Sequence, residues 1–123
     1  MPAPIPLILV GVPPEFSDSW RAVIRAKPPF EFAGAAATSA QGLELLAALP
    51  LCRRVVVVDF ALSTSEATAM LKSLRDQWPQ ARRLALVSTG VQKMAARAAG
   101  AEAVLIRGFD VAELNSVLDD FAS

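Results

Sequence analysis

The feature that most constrains the fold is a run of four valines, Val55 to Val58, which ends in Asp59. Four consecutive β-branched residues without polar alternation predict a strand that is covered on both faces, as in the middle of a parallel sheet. In open α/β sheets, binding and chemistry concentrate at the carboxyl ends of the strands. The carboxylate that closes the run, Asp59, is therefore the first candidate for a functional residue.

The composition excludes several classes of partner. With 123 residues, 54% of them hydrophobic and 20% charged, the chain is predicted to fold as one domain spanning residues 1–123. Twelve basic residues balance twelve acidic ones, which gives no electrostatic argument for nucleic acid or an anionic membrane. No apolar run approaches the ~20 residues of a membrane helix, and residues 1–6 lack the basic segment of a signal peptide. We therefore expect a cytoplasmic protein that binds neither nucleic acid nor membrane directly.

The residue types that most enzymes use are largely missing. The chain has no histidine, which removes the commonest acid/base residue and the commonest metal ligand. Its one cysteine, Cys52, can form neither an intramolecular disulfide nor a multi-cysteine zinc site, and we interpret it as an ordinary thiol. The loop at residues 11–14 lacks the glycines, lysine and hydroxyl groups of phosphate-binding loops. The sequence therefore predicts no enzyme activity, no metal and no cofactor.

Apolar runs alternate with helix-start signals along the rest of the chain. Strands are predicted at residues 7–10, 30–36, 55–58, 84–87 and 103–106. A helix follows each strand, the first capped by Ser17 or Asp18 and the last by Asp110 with Glu113 in the capping-box position. Strands that alternate with helices across short loops predict an α/β fold, a doubly wound five-stranded parallel sheet flanked by five helices.

Two arginine pairs and an apolar patch are candidates for interaction surfaces. Arg53 with Arg54, and Arg82 with Arg83, precede the third and fourth strands and should lie at the amino end of the sheet. We interpret these pairs as solvated loop charges rather than as a rim for an acidic partner. Trp78 is interpreted as a turn residue packed over a helix end rather than as an interface anchor. The start of the last helix, with Phe109 and Val111, is the better interface candidate.

Several segments, in their order and spacing, carry a resemblance to a known family. They are residues 30–36 followed by 43–47, residues 71–75 followed by Trp78 and Pro79, residues 100–103, and residues 110–114. Together they resemble the receiver domain of response regulators, of the type found at the N-terminus of LuxR/NarL-like transcription regulators. The resemblance covers nearly the whole chain. It implies the flavodoxin-like strand order 2-1-3-4-5 and a role in two-component signalling or a phosphorelay.

The resemblance also implies roles for individual residues, and the chain departs from several of them. In the family, an aspartate that ends the third strand accepts a phosphoryl group from a histidine kinase, and Asp59 occupies this position. The two acidic residues that hold the required Mg²⁺ correspond to Gly11 and Val12, neither of which supplies the carboxylate that this hard cation prefers. The lysine after the fifth strand corresponds to Arg107, which keeps the positive charge but replaces a compact ammonium by a planar guanidinium.

Two further positions belong to the signalling machinery of the family. The hydroxyl residue that ends the fourth strand is best matched by Ser88. The aromatic residue that reports phosphorylation corresponds to Val104, and a valine cannot move between buried and exposed positions as a tyrosine does. We therefore interpret Asp59 as a strand-end carboxylate that is paired with Arg107 and accepts hydrogen bonds from nearby amides, rather than as a phosphoacceptor.

Three hypotheses about function follow. The first is a pseudo-receiver, a phosphorylation-independent interaction module that docks a protein partner, such as a kinase or an output domain, or a second copy through the last helix and fifth strand. The second is a working receiver that is phosphorylated at Asp59 with a modified Mg²⁺ site. The third is a sensor that binds a small molecule in the crevice at the strand ends. We favour the first because the metal, charge and reporter positions are all altered.

Overall fold

A computed structural model of the chain describes residues 4–50 and 53–123, so Cys52 lies outside the described residues. Five strands alternate with five helices in this part of the chain. They are β1 (Ile5–Val10), α1 (Ser17–Arg25), β2 (Phe30–Ala36), α2 (Ser39–Ala48), β3 (Arg54–Asp59), α3 (Thr64–Gln77), β4 (Ala81–Val87), α4 (Gly90–Ala98), β5 (Ala103–Ile106) and α5 (Val111–Ala122). No helix in the two described ranges is long and apolar enough to cross a membrane.

The strands form one parallel sheet in the order β2-β1-β3-β4-β5. The predicted fold class and strand order are thereby confirmed. Val58 of β3 lies opposite Val10 of β1, and Asp59 lies opposite Leu86 of β4. The carboxyl ends of the three central strands therefore lie side by side at the same end of the sheet. This is the end at which parallel α/β sheets place their binding sites.

The four valines of β3 are buried on both faces of the sheet, as the sequence predicted. Val55 and Val57 pack in the core under α1 and α5, whereas Val56 and Val58 pack in the core under α2, α3 and α4. None of the four is more than 1% exposed. Burial of one such side chain stabilises the fold by about 1.5–3 kcal/mol. The strand therefore ties the two cores together and fixes the place where Asp59 emerges.

The helix starts were predicted with mixed success. Asp110 and Glu113 form the expected capping box at the start of α5. The predicted cap of α1 was wrong: a 3-10 turn at Pro14–Phe16 runs directly into α1, and the N-cap residue is Phe16, whose side chain makes no capping hydrogen bond. Proline fixes a helical φ angle at the first position of a turn, so Pro14 starts the turn earlier than Ser17 or Asp18 could.

One arginine of each pair is a buried strand residue, Arg54 in β3 and Arg83 in β4, so the interpretation of both pairs as solvated loop charges was wrong for these two residues. Arg54 is 3% exposed and Arg83 is 9% exposed. Arg54 donates to the Leu46 carbonyl near the end of α2 at 3.2 Å and lies over the Trp78 ring, 5.2 Å from its centroid. Arg83 donates to the Gly100 carbonyl at 2.7 Å. The two guanidinium groups thus bind backbone carbonyls close to the carboxyl ends of α2 and α4.

Candidate functional site

Asp59 is the buried carboxylate at the end of β3, with 1% of its surface exposed. Its backbone position is fixed by β4, because the N–H of the next residue, Phe60, donates to the Leu86 carbonyl at 2.8 Å. The side-chain oxygen Oδ1 accepts two hydrogen bonds, from the Arg107 guanidinium at 2.6 Å and from the Ala61 N–H at 2.7 Å. The ion pair and the amide contact that were expected from the sequence are both present.

Arg107 is held in place by the neighbouring strand. It directly follows β5, and its backbone N–H donates to the Val87 carbonyl at 2.7 Å. Its side chain is 42% exposed, whereas that of Asp59 is 1% exposed. The guanidinium contacts only one of the two carboxylate oxygens, so the pair is charge-assisted but not bidentate.

The second carboxylate oxygen, Oδ2 of Asp59, is buried without any hydrogen-bond partner. A buried acceptor without a partner costs about 1–3 kcal/mol, and more when the group is charged. Buried polar groups in native proteins are nearly always satisfied. Oδ2 is therefore an acceptor to which a bound group could donate a hydrogen bond.

Gly11 follows β1 in a conformation that excludes an acidic side chain. Its φ angle is +78°, in the left-handed region that favours glycine. A Cβ atom at this position would lie 2.5 Å from Cγ of Leu62 and 3.1 Å from the carbonyl oxygen of Asp59. Leu62 could not be singled out from the sequence, because an isolated leucine in a loop gives no periodic signal. Leu62 thus fills the space that the side chain of an acidic residue at position 11 would need.

The residues around Asp59 do not fit Mg²⁺. Val12 is 7% exposed and belongs to the apolar core under α1 and α5, while Glu15 and Asp18 on the following turn and helix are exposed. In the two described ranges, no group of three or more histidine, cysteine, aspartate or glutamate side chains could hold a metal ion. Mg²⁺ needs several oxygen ligands, whereas Asp59 offers one unengaged oxygen next to the positive charge of Arg107.

Ser88 and Val104 take no part in the hydrogen bonds of Asp59, which come from Ala61 and Arg107. Ser88 is exposed directly after β4, and its backbone N–H donates to Oε1 of Gln92 at 2.8 Å. Val104 is half-buried in β5 and packs against the core under α2, α3 and α4. The structure thus brings Asp59, Arg107 and the Gly11–Val12 turn together. Val104 lines a different pocket, which Arg107 also borders.

A cavity of about 260 Å³ lies beside Asp59, between α1 and the turn from β5 to α5. Asp59 and Arg107 provide polar lining, and Val12, Trp20 and Phe109 provide apolar walls. The rings of Trp20 and Phe109 are 6.3 Å apart and inclined at 58°. We call it the Asp59 cavity. The sequence did not predict it, because its walls come from segments that are far apart along the chain.

Comparisons with known proteins show which solved structures have the same fold. Neither the protein-family models nor the curated proteins contain a match to the sequence. Among solved structures, the chain is similar to the signal receiver domain of NarL from Mycobacterium tuberculosis, with 20% identity and a TM-score of 0.81 over 99% of both chains.

Two further structures show the same likeness. The receiver domain of an HD domain-containing protein from Pseudomonas fluorescens is 18% identical, with a TM-score of 0.83 over 98% of this chain and 88% of the other. The isolated receiver domain of RcsB from Salmonella enterica is 13% identical, with a TM-score of 0.80 over 94% of this chain and 86% of the other. At these identities the likeness concerns the backbone. The chain has the flavodoxin-like fold of response-regulator receiver domains.

Proposed function

We propose that the chain is a pseudo-receiver, a non-catalytic signalling domain that acts by docking proteins and not by accepting a phosphoryl group. The observation that carries this proposal is the ion pair between Asp59 and Arg107 at 2.6 Å. It sits beside a turn in which Leu62 packs where a side chain of residue 11 would point. Both features favour a domain of the response-regulator type that is held in one state.

The chemistry of phosphoryl transfer supports the same proposal. Transfer to a carboxylate depends on a cation that neutralises the charge on the transferring oxygens. At this position Gly11 and Val12 offer no ligand side chains, and the guanidinium of Arg107 engages Oδ1 of Asp59. The alternative is a working receiver with a modified Mg²⁺ site, and it requires a different ligand set from the one that the family uses.

Incubation with acetyl phosphate and Mg²⁺ is expected to leave the chain unmodified. The reason is that Arg107 engages Oδ1 of Asp59 and that positions 11 and 12 carry no carboxylate to hold the cation. The measurement is the intact mass, with a receiver domain known to take up the phosphoryl group treated in parallel. A phosphoryl adduct that forms on the wild-type chain and is absent from Asp59→Asn would overturn the proposal in favour of the working receiver.

The surface offered for docking is an exposed apolar face on α4 and β5. Val91 is 79% exposed, Met94 is 74% exposed and Ile106 is 46% exposed. We call these three side chains the α4–β5 face. They lie at one lateral edge of the sheet, because β5 is an edge strand. Apolar groups of this size in water are typical of protein-interaction sites. We propose that a second copy of the chain docks there, so that α4 takes the place of the last helix, which the sequence predicted beside the fifth strand.

Met94→Glu is expected to weaken self-association at least about tenfold, since a charge in the apolar centre of an interface costs more than about 1.4 kcal/mol. The measurement is the dimer dissociation constant by sedimentation equilibrium. Ala47→Glu is the control: this exposed position lies on α2, which packs over β1 and β2 near the opposite edge of the sheet, and the change should leave the constant unchanged. A wild-type chain that stays monomeric at high concentration would point to a kinase or an output domain as the partner instead.

A further inference from the structure

We propose that the Asp59 cavity binds a small neutral molecule with an apolar body and a hydroxyl group. This inference rests on the shape and chemistry of the cavity and is independent of whether the chain self-associates. It gives a ligand class to the third hypothesis, that of a small-molecule sensor, for which the sequence offered no specific residues.

The apolar part of the cavity fits a small hydrophobic body. Its volume of about 260 Å³ lies just below the range of about 300–1,000 Å³ that is usual for ligand pockets, so the ligand is small. Phe16 and Val111 line the cavity and are 44% and 56% exposed. They are two of the five large hydrophobic side chains that are exposed in the described ranges. A bound apolar body would remove this surface from water, which favours binding.

The polar lining of the cavity selects the functional group. Oδ2 of Asp59 is a buried acceptor without a partner, and the guanidinium of Arg107 has five N–H donors, one of which binds Oδ1. A hydroxyl group can donate to Oδ2 and accept from Arg107 at the same time. A carboxylate ligand cannot donate to Oδ2, and an ammonium ligand cannot accept from Arg107. A neutral hydroxyl can do both, so it matches the two side chains of the cavity.

Access to Oδ2 requires a movement of side chains, because this oxygen is closed to bulk water. Asp59 and Arg107 both line the cavity, and the side chain of Arg107 is 42% exposed. We expect these two side chains to shift when the ligand binds. The backbone on either side stays fixed, because the N–H groups of Arg107 and Phe109 both bond to neighbouring carbonyls.

The test is a titration with 4-propylphenol, followed by ¹H–¹⁵N correlation NMR of the wild-type chain. We expect saturable shifts of the Phe109 and Val111 amides and of the Trp20 indole N–H. The matched probe is 4-propylanisole, which has the same apolar body and a methoxy group that cannot donate a hydrogen bond. It should bind about tenfold more weakly, the usual effect of leaving a buried charged acceptor without a partner.

Two variants on α1 localise the binding. Ser19 is exposed and lines the cavity, so Ser19→Trp should fill its mouth and weaken 4-propylphenol binding at least about tenfold without disturbing the core. Asp18→Trp places the same side chain on the exposed neighbouring position, outside the cavity lining, and should leave binding unchanged. Equal binding of the phenol and the anisole, equal binding by both variants, or no shifts up to the solubility limit would each overturn the inference.

Discussion

Gly11→Asp is expected to lower the free energy of unfolding by about 2–5 kcal/mol, although it restores one carboxylate of the family's metal pair. A residue with a Cβ atom in the left-handed region costs roughly 1–2 kcal/mol, and an added side chain that strains a packed neighbour typically costs another 1–3 kcal/mol. Here the neighbour is Cγ of Leu62, 2.5 Å from the new Cβ position. Urea denaturation, with linear extrapolation to zero denaturant, measures the loss.

Two controls separate the contact with Leu62 from the backbone strain and from the added charge. In a Leu62→Ala background, Gly11→Asp should cost only the backbone part, roughly 1–2 kcal/mol, and the difference is the coupling energy of a double-mutant cycle. Gly90→Asp adds the same side chain at the first residue of α4, where a new Cβ atom would meet no neighbouring group within 4 Å. It should change the free energy of unfolding by less than about 0.5 kcal/mol. Equal losses with and without Leu62 would show that this leucine does not close the site.

The fold could be predicted from the sequence because local and global signals agree. The valines of β3 predict a strand buried on both faces, and a parallel sheet with helices on each side is the arrangement that provides this burial. Asp110 with Glu113 marks the start of α5 for an equally local reason. Where the cause was not local the prediction failed: Arg54 is buried because it donates to the Leu46 carbonyl, in an element that precedes it.

The site could be predicted only in part, and the reason is distance along the chain. Asp59 follows from its place at the end of β3, but its partner Arg107 lies 48 residues away and was matched to it only through the likeness to receivers. Leu62 gave no signal, because its role depends on the φ angle of Gly11 in another loop. The free oxygen of Asp59 and the cavity beside it depend on how three separate segments pack, and the residue types alone do not specify this.

Arg107→Ala is expected to lower the free energy of unfolding by about 2–3 kcal/mol, because it leaves a buried carboxylate without its cation. The Asp59 side chain is 1% exposed, and the Ala61 N–H would remain as its donor. Removing one partner of a fully buried ion pair costs about 3–5 kcal/mol. The loss expected here is smaller, since the Arg107 side chain is 42% exposed and water can enter when it is removed. Urea denaturation again measures the change.

Two comparisons show whether the burial of Asp59 is the cause of this loss. Arg75→Ala removes a partner from the surface pair with Asp76, whose side chains are 45% and 65% exposed, and should cost no more than about 0.5 kcal/mol. In the Arg107→Ala background, Asp59→Asn keeps the acceptor for Ala61 and removes the uncompensated charge, so it should recover about 1 kcal/mol. If Arg107→Ala lowers the free energy of unfolding no more than Arg75→Ala does, the guanidinium does not hold Asp59 in one state. That result would favour the hypothesis that Asp59 is a phosphoacceptor.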